Sequence, residues 1–182
     1  MKKSAFLSLV VLGAISVEPN VADASLARAG TPNVQFSAVG PAGLKIVGTT
    51  HELDLRESDA AVVISVPLAN LDTGISLRNK HMREKYLEVD KYPRAELTVA
   101  RADVHLPEAG AETSGEAPGT MAIHGVSRPV RFSFRVKRDG AGIHVTGSVH
   151  VNINDHGILV PSYLGVTVKP DVTVELSFDA ND

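Results

Sequence analysis

Beyond residue 33 apolar and polar positions alternate along most of the chain, the period of strands with one buried face. Val34, Phe36 and Ala38 begin the pattern, and Gly40-Pro41 interrupts it. Leu44 and Ile46 hold the same parity to Gly48, whereas Leu53 and Leu55 take the other. Such a parity change predicts a bulge or bend, a device of curved sheets. Glu57-Ser58-Asp59 reads as a turn, after which Val62, Ile64, Val66 and Leu68 face one way. Ala95, Leu97 and Val99 form another run, shifting parity at Ala102, Val104 and Leu106. Met121 and Ile123 follow, and Gly125 to Pro129 reads as a turn before Val130, Phe132, Phe134 and Val136. Arg138-Asp139-Gly140 is a hairpin signal leading to Ile143, Val145, Val149, Val151 and Ile153. Val172, Val174, Leu176 and Phe178 make the last apolar face.

Two segments depart from this pattern. Between residues 72 and 92, Ile75, Met82, Tyr86 and Val89 recur at helical spacing, opposite Arg78, Lys80, Arg83, Glu84 and Lys85. One short helix is predicted there, capped by Asp72 or Thr73 and stopped by Pro93. Residues 107–118, rich in Gly, Pro, Glu and Ala, read as a mobile hairpin loop. The count is about eight strands, joined by connections too short for helical crossovers, hence an all-β, antiparallel fold. Such strands close into a barrel or stack as a sandwich, and periodicity does not choose between them.

The first residues change the picture of where the domain begins. Met1-Lys2-Lys3-Ser4 precedes an apolar run from Ala5 to Ile15, the two opening regions of a signal peptide. Ala22-Asp23-Ala24 supplies a small-x-small cleavage signal, so residues 1–24 are expected to be removed. Residues 25–32 are then a flexible N-terminal segment and 33–182 a single β domain, located in the periplasm or secreted. No later stretch is long and apolar enough to predict an integral membrane span. The absence of cysteine excludes disulfides, thiol chemistry and thiolate metal sites. A net charge of -3 and an aromatic fraction of 4% argue against nucleic acid as a partner. Monomer and oligomer both remain open.

Candidate chemistry is sparse. Asp72-Thr73-Gly74 matches the triplet around which aspartic proteases pair two carboxylates, but here it enters a charged helical segment and reads as a cap. His144 and His150 share parity on one strand yet lie roughly 20 Å apart along it, too far to hold one ion. They also lie opposite the apolar face, while His124 and His156 sit beside Gly125 and Gly157 near turns. The chain has no HExxH, GxSxG, phosphate-loop or dinucleotide fingerprint. No catalytic residue, metal or cofactor is therefore expected, and the chain does not read as an enzyme. Lys45, Arg78, Lys80 and Arg83 are cations that either meet an anionic head group or solvate their elements.

Three blocks carry a resemblance. The first is Leu71-Asp72-Thr73-Gly74-Ile75-Ser76-Leu77-Arg78-Asn79-Lys80-His81-Met82, continuing to Lys91-Tyr92-Pro93. The second runs from Gly119 through His124-Gly125-Val126-Ser127-Arg128-Pro129 to Val130, and the third from Val145-Thr146-Gly147 to Asp155-His156-Gly157-Ile158. From Leu71 onward the chain resembles the YceI-like family, exported bacterial proteins with a lipocalin-like barrel that bind polyisoprenoid or related lipids. Asn79 stands where the family usually carries Asp, Met82 where it carries Leu, and His156 where it carries Phe. The resemblance implies an antiparallel lipocalin-like barrel with one short helix, and a lipid or small amphiphile as partner. Its function would be periplasmic binding or transport of an isoprenoid or other long-chain lipid. Candidate tunnel-lining residues are Phe36, Ile64, Val66, Val99, Phe132, Phe134, Val149, Leu176 and Phe178, with Arg78 and His81 at the head group or barrel mouth. The alternative is a non-enzymatic interaction protein with a solid core, because alternation shows a buried face and not a hollow one.

Overall fold

The structure, a computed structural model, describes residues 26–163 and 166–181. The expected signal peptide, residues 1–24, lies outside them. Among the described residues nine antiparallel strands form one sheet, accompanied by a two-stranded hairpin and one short helix. The strands are β1 (Ala27–Val39), β2 (Lys45–Thr50), β3 (Asp54–Glu57), β4 (Ala61–Pro67), β5 (Arg94–Ala100), β6 (Glu112–Ile123), β7 (Val126–Asp139), β8 (Gly142–Asn152), β9 (Ser162–Tyr163), β10 (Val166–Thr167) and β11 (Asp171–Asn181). Helix α1 covers Ser76–His81 and runs into a π-helical turn, Met82–Tyr86. The sheet order is β2-β1-β11-β8-β7-β6-β5-β4-β3, and β9 pairs with β10.

Alternation and register together put one apolar row around the inside. Gly48, Phe36, Val174, Val149, Phe132 and Ala117 are successive cross-strand partners from β2 to β6. Met121, Leu97, Ile64 and Leu55 continue the row from β6 to β3. At Gly48 a Cβ would stand 2.2 Å from Cε1 of Phe36, so the ring occupies the space a side chain would need.

The sheet curls into an open half-barrel and not the closed barrel of about eight strands that the alternation and the resemblance suggested. The reason is the offset between the two edge strands. β2 pairs with Val34–Val39 of β1 at one end of the sheet, whereas β3 pairs with Val62–Ser65 of β4 toward the other. Neither edge strand faces the other along a common ladder. Two clasps hold the seam instead. The backbone of Thr49 pairs with that of Asp72, and the Glu57 carboxylate accepts from the Leu26 N–H at 2.7 Å. The Glu57 side chain is only 8% exposed and also forms an ion pair with Arg101.

Three local expectations are corrected. β1 starts at Ala27, inside the stretch expected to be flexible, because Ala27–Ala29 pair with Asp179–Asn181. Gly30, at φ +60°, and a register shift before Asn33 let the strand pass Pro32. Much of the expected mobile loop at 107–118 is strand, since Glu112–Pro118 pair with Arg131–Lys137. Pro118 is tolerated there because β5 reaches only Thr120–Ala122 on its other side. The turn expected over 125–129 is two residues long, His124-Gly125, both with positive φ, as a tight twisted hairpin demands.

The Glu57 clasp predicts a measurable asymmetry. Glu57→Ala strands Arg101 and the Leu26 N–H at the seam, and should lower unfolding free energy in urea by about 1–3 kcal/mol. Glu116→Ala removes an ion pair with Arg131 whose two side chains are both largely exposed, and should change it by less than about 0.5 kcal/mol. Equal losses in the two variants would show that the seam does not depend on Glu57.

Candidate functional site

The half-barrel encloses a cavity of about 700 Å³. Its wall is built by inward residues of the strands on both sides of the seam, among them Val34, Ile46, Ala95, Ile123, Val151 and Val172. Helix α1 and the π turn cover one end, contributing Ile75, Leu77, Met82, Tyr86 and Leu87. The segment between β8 and β11 adds Ile158, Pro161 and Val168. At the other end of the sheet Leu26, Leu53, Val62, Val136, Ile143, Phe178 and Ala180 pack into a solid cluster. The molecule is thus hollow beneath the helix and filled beyond it.

Of the candidate lining residues, Phe36, Ile64, Val66, Val149 and Leu176 stand on the cavity wall, as do Arg78 and His81 at the helix. Val99, Phe132, Phe134 and Phe178 do not. Phe178 belongs to the filled end, and Val99 is buried in a second cluster with Leu97, Met121, Val149 and Val151. Phe132 and Phe134 pack against these clusters with ring centroids 6.1 Å apart. Their inward parity was legible, but how far along the barrel axis the filling begins was not. The helix face and the Ile158–Val168 segment went unrecognised as wall, although the helical stripe of Ile75, Met82 and Tyr86 was the available signal.

The polar pole of the cavity is assembled by a hydrogen-bonded latch. The Asp72 carboxylate does not cap the helix as expected; the cap position is Ile75, with no side-chain bond. Asp72 Oδ1 instead accepts from the Gly74 N–H at 2.8 Å and from Asn79 Nδ2 at 2.6 Å. Asn79 Oδ1 accepts from the N–H and the hydroxyl of Thr73, at 2.8 and 2.6 Å. Only one orientation of the amide satisfies both sides. Arg78 Nε donates to the Thr73 hydroxyl at 2.8 Å, and another guanidinium nitrogen donates to the Thr73 carbonyl. An aspartate at 79 would set two carboxylates against each other, so the amide here is what lets Asp72 join the latch. Arg83 adds a bond to the Ala69 carbonyl at 2.8 Å.

Around this pole the blocks that carry the resemblance meet. The Tyr92 ring lies 4.4 Å from that of His124, centroid to centroid, and fills the space a Cβ at Gly125 would take. His124 Nε2 is 2.6 Å from a Glu88 carboxylate oxygen. His156, the third block's histidine, is buried, with Nδ1 2.9 Å from the Val126 carbonyl. His144 and His150 stand exposed on the outer face, beside Asp179 and Thr173. Among the described residues no group of three or more His, Asp and Glu side chains gathers to hold a metal.

A family model for the YceI-like domain matches residues 28–180. The chain belongs to the YceI-like family. It is 26% identical over 136 residues to a UPF0312 protein of Pseudomonas syringae pv. tomato, covering 69% of this chain and 67% of that one. A UPF0312 protein of Pseudomonas putida is 27% identical over 123 residues, covering 63% of this chain. The match spans 60% of that relative's length. The fold is similar to a polyisoprenoid-binding domain from Saccharophagus degradans, with a TM-score of 0.70 and 19% identity over 86% of this chain and 97% of that one. It is also similar to BcnA of Burkholderia cenocepacia, with a TM-score of 0.62 and 17% identity over 81% of this chain and 96% of that one. At such identities the likeness is one of fold. The YceI-like chain carries no HExxH, GxSxG, phosphate-loop or dinucleotide fingerprint, and none of its helices among the described residues is long and apolar enough to cross a membrane.

The latch has a pH signature. The Gly74 N–H, then the Asn79 amide, hold the Asp72 carboxyl below its ordinary value. A carboxylate depressed in the folded state contributes stability that is fully present above its unfolded value, about 4, and lost as pH falls through the folded one. Wild type should therefore lose more stability than Asp72→Asn when urea unfolding is compared at about pH 6 and pH 3. Parallel losses would mean that the latch adds nothing in the folded state.

Proposed function

We propose that the YceI-like chain binds a long-chain amphiphile, an isoprenoid or other lipid, with its tail in the cavity and its polar head at Arg78 and His81. The reading places this activity in the periplasm or outside the cell, in keeping with the signal-peptide pattern of residues 1–24. The observation that carries it is a cavity of about 700 Å³ with an almost wholly apolar wall and cationic groups at one pole. That volume lies within the range of about 300–1,000 Å³ usual for small-molecule sites. A solid-core interaction protein, the alternative reading, would have no use for such a void, which forgoes the packing contacts of a filled interior.

The energetics favour a tail over a compact polar ligand. Each methylene moved from water into the cavity is worth about 0.8 kcal/mol, so ten contribute about 8 kcal/mol before the cost of ordering the chain. The wall offers few hydrogen bonds to a polar ligand, whose desolvation would go uncompensated. Arg78 is the suited head-group contact. Two of its nitrogens are engaged by Thr73, which fixes the guanidinium, and its remaining donors serve a phosphate or carboxylate. The reading is supported by the fold shared with the polyisoprenoid-binding domain of Saccharophagus degradans.

The exported protein, purified without detergent, should show a higher mass under native than under denaturing conditions, the difference being a lipid. Val172→Phe, at a half-buried wall position, fills cavity space and should reduce tail binding at least tenfold while leaving the melting temperature unchanged or raised. Arg78→Ala should weaken a phosphate-headed prenyl chain about tenfold more than the corresponding uncharged alcohol. A bare wild-type protein that also fails to take up prenyl and acyl chains would return the chain to the solid-core reading.

A further inference from the structure

Large apolar side chains left exposed are ordinary when scattered singly. Here they are not scattered. The five that stand exposed among the described residues are Val39, Leu44, Ile75, Leu77 and Leu159, at 36–70%. Val39 ends β1, Leu44 precedes β2, Ile75 and Leu77 open α1, and Leu159 follows β8. By the sheet's antiparallel order these all lie at the end where the cavity is covered by the helix. The hairpin at the opposite end, between β7 and β8, carries no exposed large apolar side chain.

These positions belong to the cavity mouth. Ile75 and Leu77 line the cavity themselves, as do Pro41 in the turn before Leu44 and Ile158 beside Leu159. The Gly40 N–H donates to the Leu44 carbonyl, and the Lys169 N–H donates to the Val39 carbonyl at 2.7 Å. Those bonds draw the β1–β2 turn and the segment before β11 together at this end. Charge is concentrated there too. Residues 76–86 hold Arg78, Lys80, Arg83 and Lys85 against one carboxylate, Glu84, and Asp72, Asp155 and Asp171 stand at the same end, so the cationic excess is carried by the helix itself. Lys45 and Lys169 flank the same rim.

We propose that this rim is a docking surface for an anionic phospholipid bilayer, which lets the cavity mouth open onto the acyl region for lipid exchange. The inference rests on the lipid-binding reading and adds to it the surface from which lipid is taken or to which it is given. Apolar residues ringed by lysine and arginine match the bilayer interface, where the side chains enter the acyl boundary and the cations meet lipid phosphates. A second copy is the poorer occupant, since a two-fold contact through this face would oppose the two cationic helices.

The test uses the absence of tryptophan from the chain. Leu44→Trp and Leu159→Trp put a single reporter on the rim, and Ala141→Trp puts one on the exposed hairpin at the opposite end. Exported protein is mixed with phosphatidylcholine vesicles with and without phosphatidylglycerol. Rim reporters should shift to the blue with the anionic vesicles and the Ala141 reporter should not. Lys80→Glu should lower vesicle partition about fivefold or more, and Leu159→Asp at least as much while keeping bound lipid by native mass. No rim shift, an equal shift at Ala141, or a shift that grows with protein concentration in the absence of vesicles would overturn the docking surface. A wild type that carries no lipid by native mass and takes up none offered, with vesicle docking intact, would instead overturn the binding reading.

Discussion

A six-residue helix cannot hold itself together, because its few internal bonds do not repay the ordering of its first turn. Everything distinctive about this cavity depends on fixing such a helix across the end of a curled sheet. The latch of Asp72, Thr73, Arg78 and Asn79 does so with bonds that begin and end within eight residues. The backbone pairing of Thr49 with Asp72 then ties the latch to β2, and Arg83 ties the π turn to the Ala69 carbonyl. The helix is thereby attached on its polar side. Its apolar side chains are left to face the cavity without needing to fill it.

That arrangement explains why the interior is hollow at one end only. The long strands β6, β7, β8 and β11 all reach the far end, and there Phe178, Val136, Ile143 and Ala180 meet Leu26 from the chain's described start. Toward the helix the Phe36 ring occupies the space a side chain at Gly48 would need, and Ala95 is among the wall residues. The open seam belongs to the same economy of closure. With β2 and β3 displaced along the axis, the two ends of the sheet are joined by point contacts at Asp72 and Glu57 and not by a ladder.

Period-two alternation made the sheet, its antiparallel sense and nearly every inward residue legible in the sequence. It could not report depth along the axis, which is why Phe36 and Val149 reach the cavity wall while Phe178 and Phe134, on the same face, pack beyond it. Local polarity misled at Glu112–Pro118, where a low-complexity stretch is carried as strand by its long neighbour β7. Asp72 was recognised as a helix-entry residue, but its partner Asn79 lies seven positions on, outside any capping pattern. Glu57 read as a turn residue because the contact that gives it its role, the Leu26 N–H, is 31 residues away.

The residues that carry the family resemblance divide, in this structure, between supports and the cavity wall. Gly125 has no side chain because the Tyr92 ring stands where one would be, and its φ of +74° also suits glycine. His156 spends one ring nitrogen on the Val126 carbonyl and is buried away from the cavity wall. Asn79 and Asp72 serve the latch. Among the residues of these blocks, Thr73, Arg78, His81, Lys85 and Tyr86 are the polar groups on the wall. The recognisable motifs therefore specify a mouth of a certain shape, held at a certain place on a curled sheet. The rest of the wall is left to side chains that alternation supplies generically, so family membership fixes the mouth of the cavity more tightly than its lining.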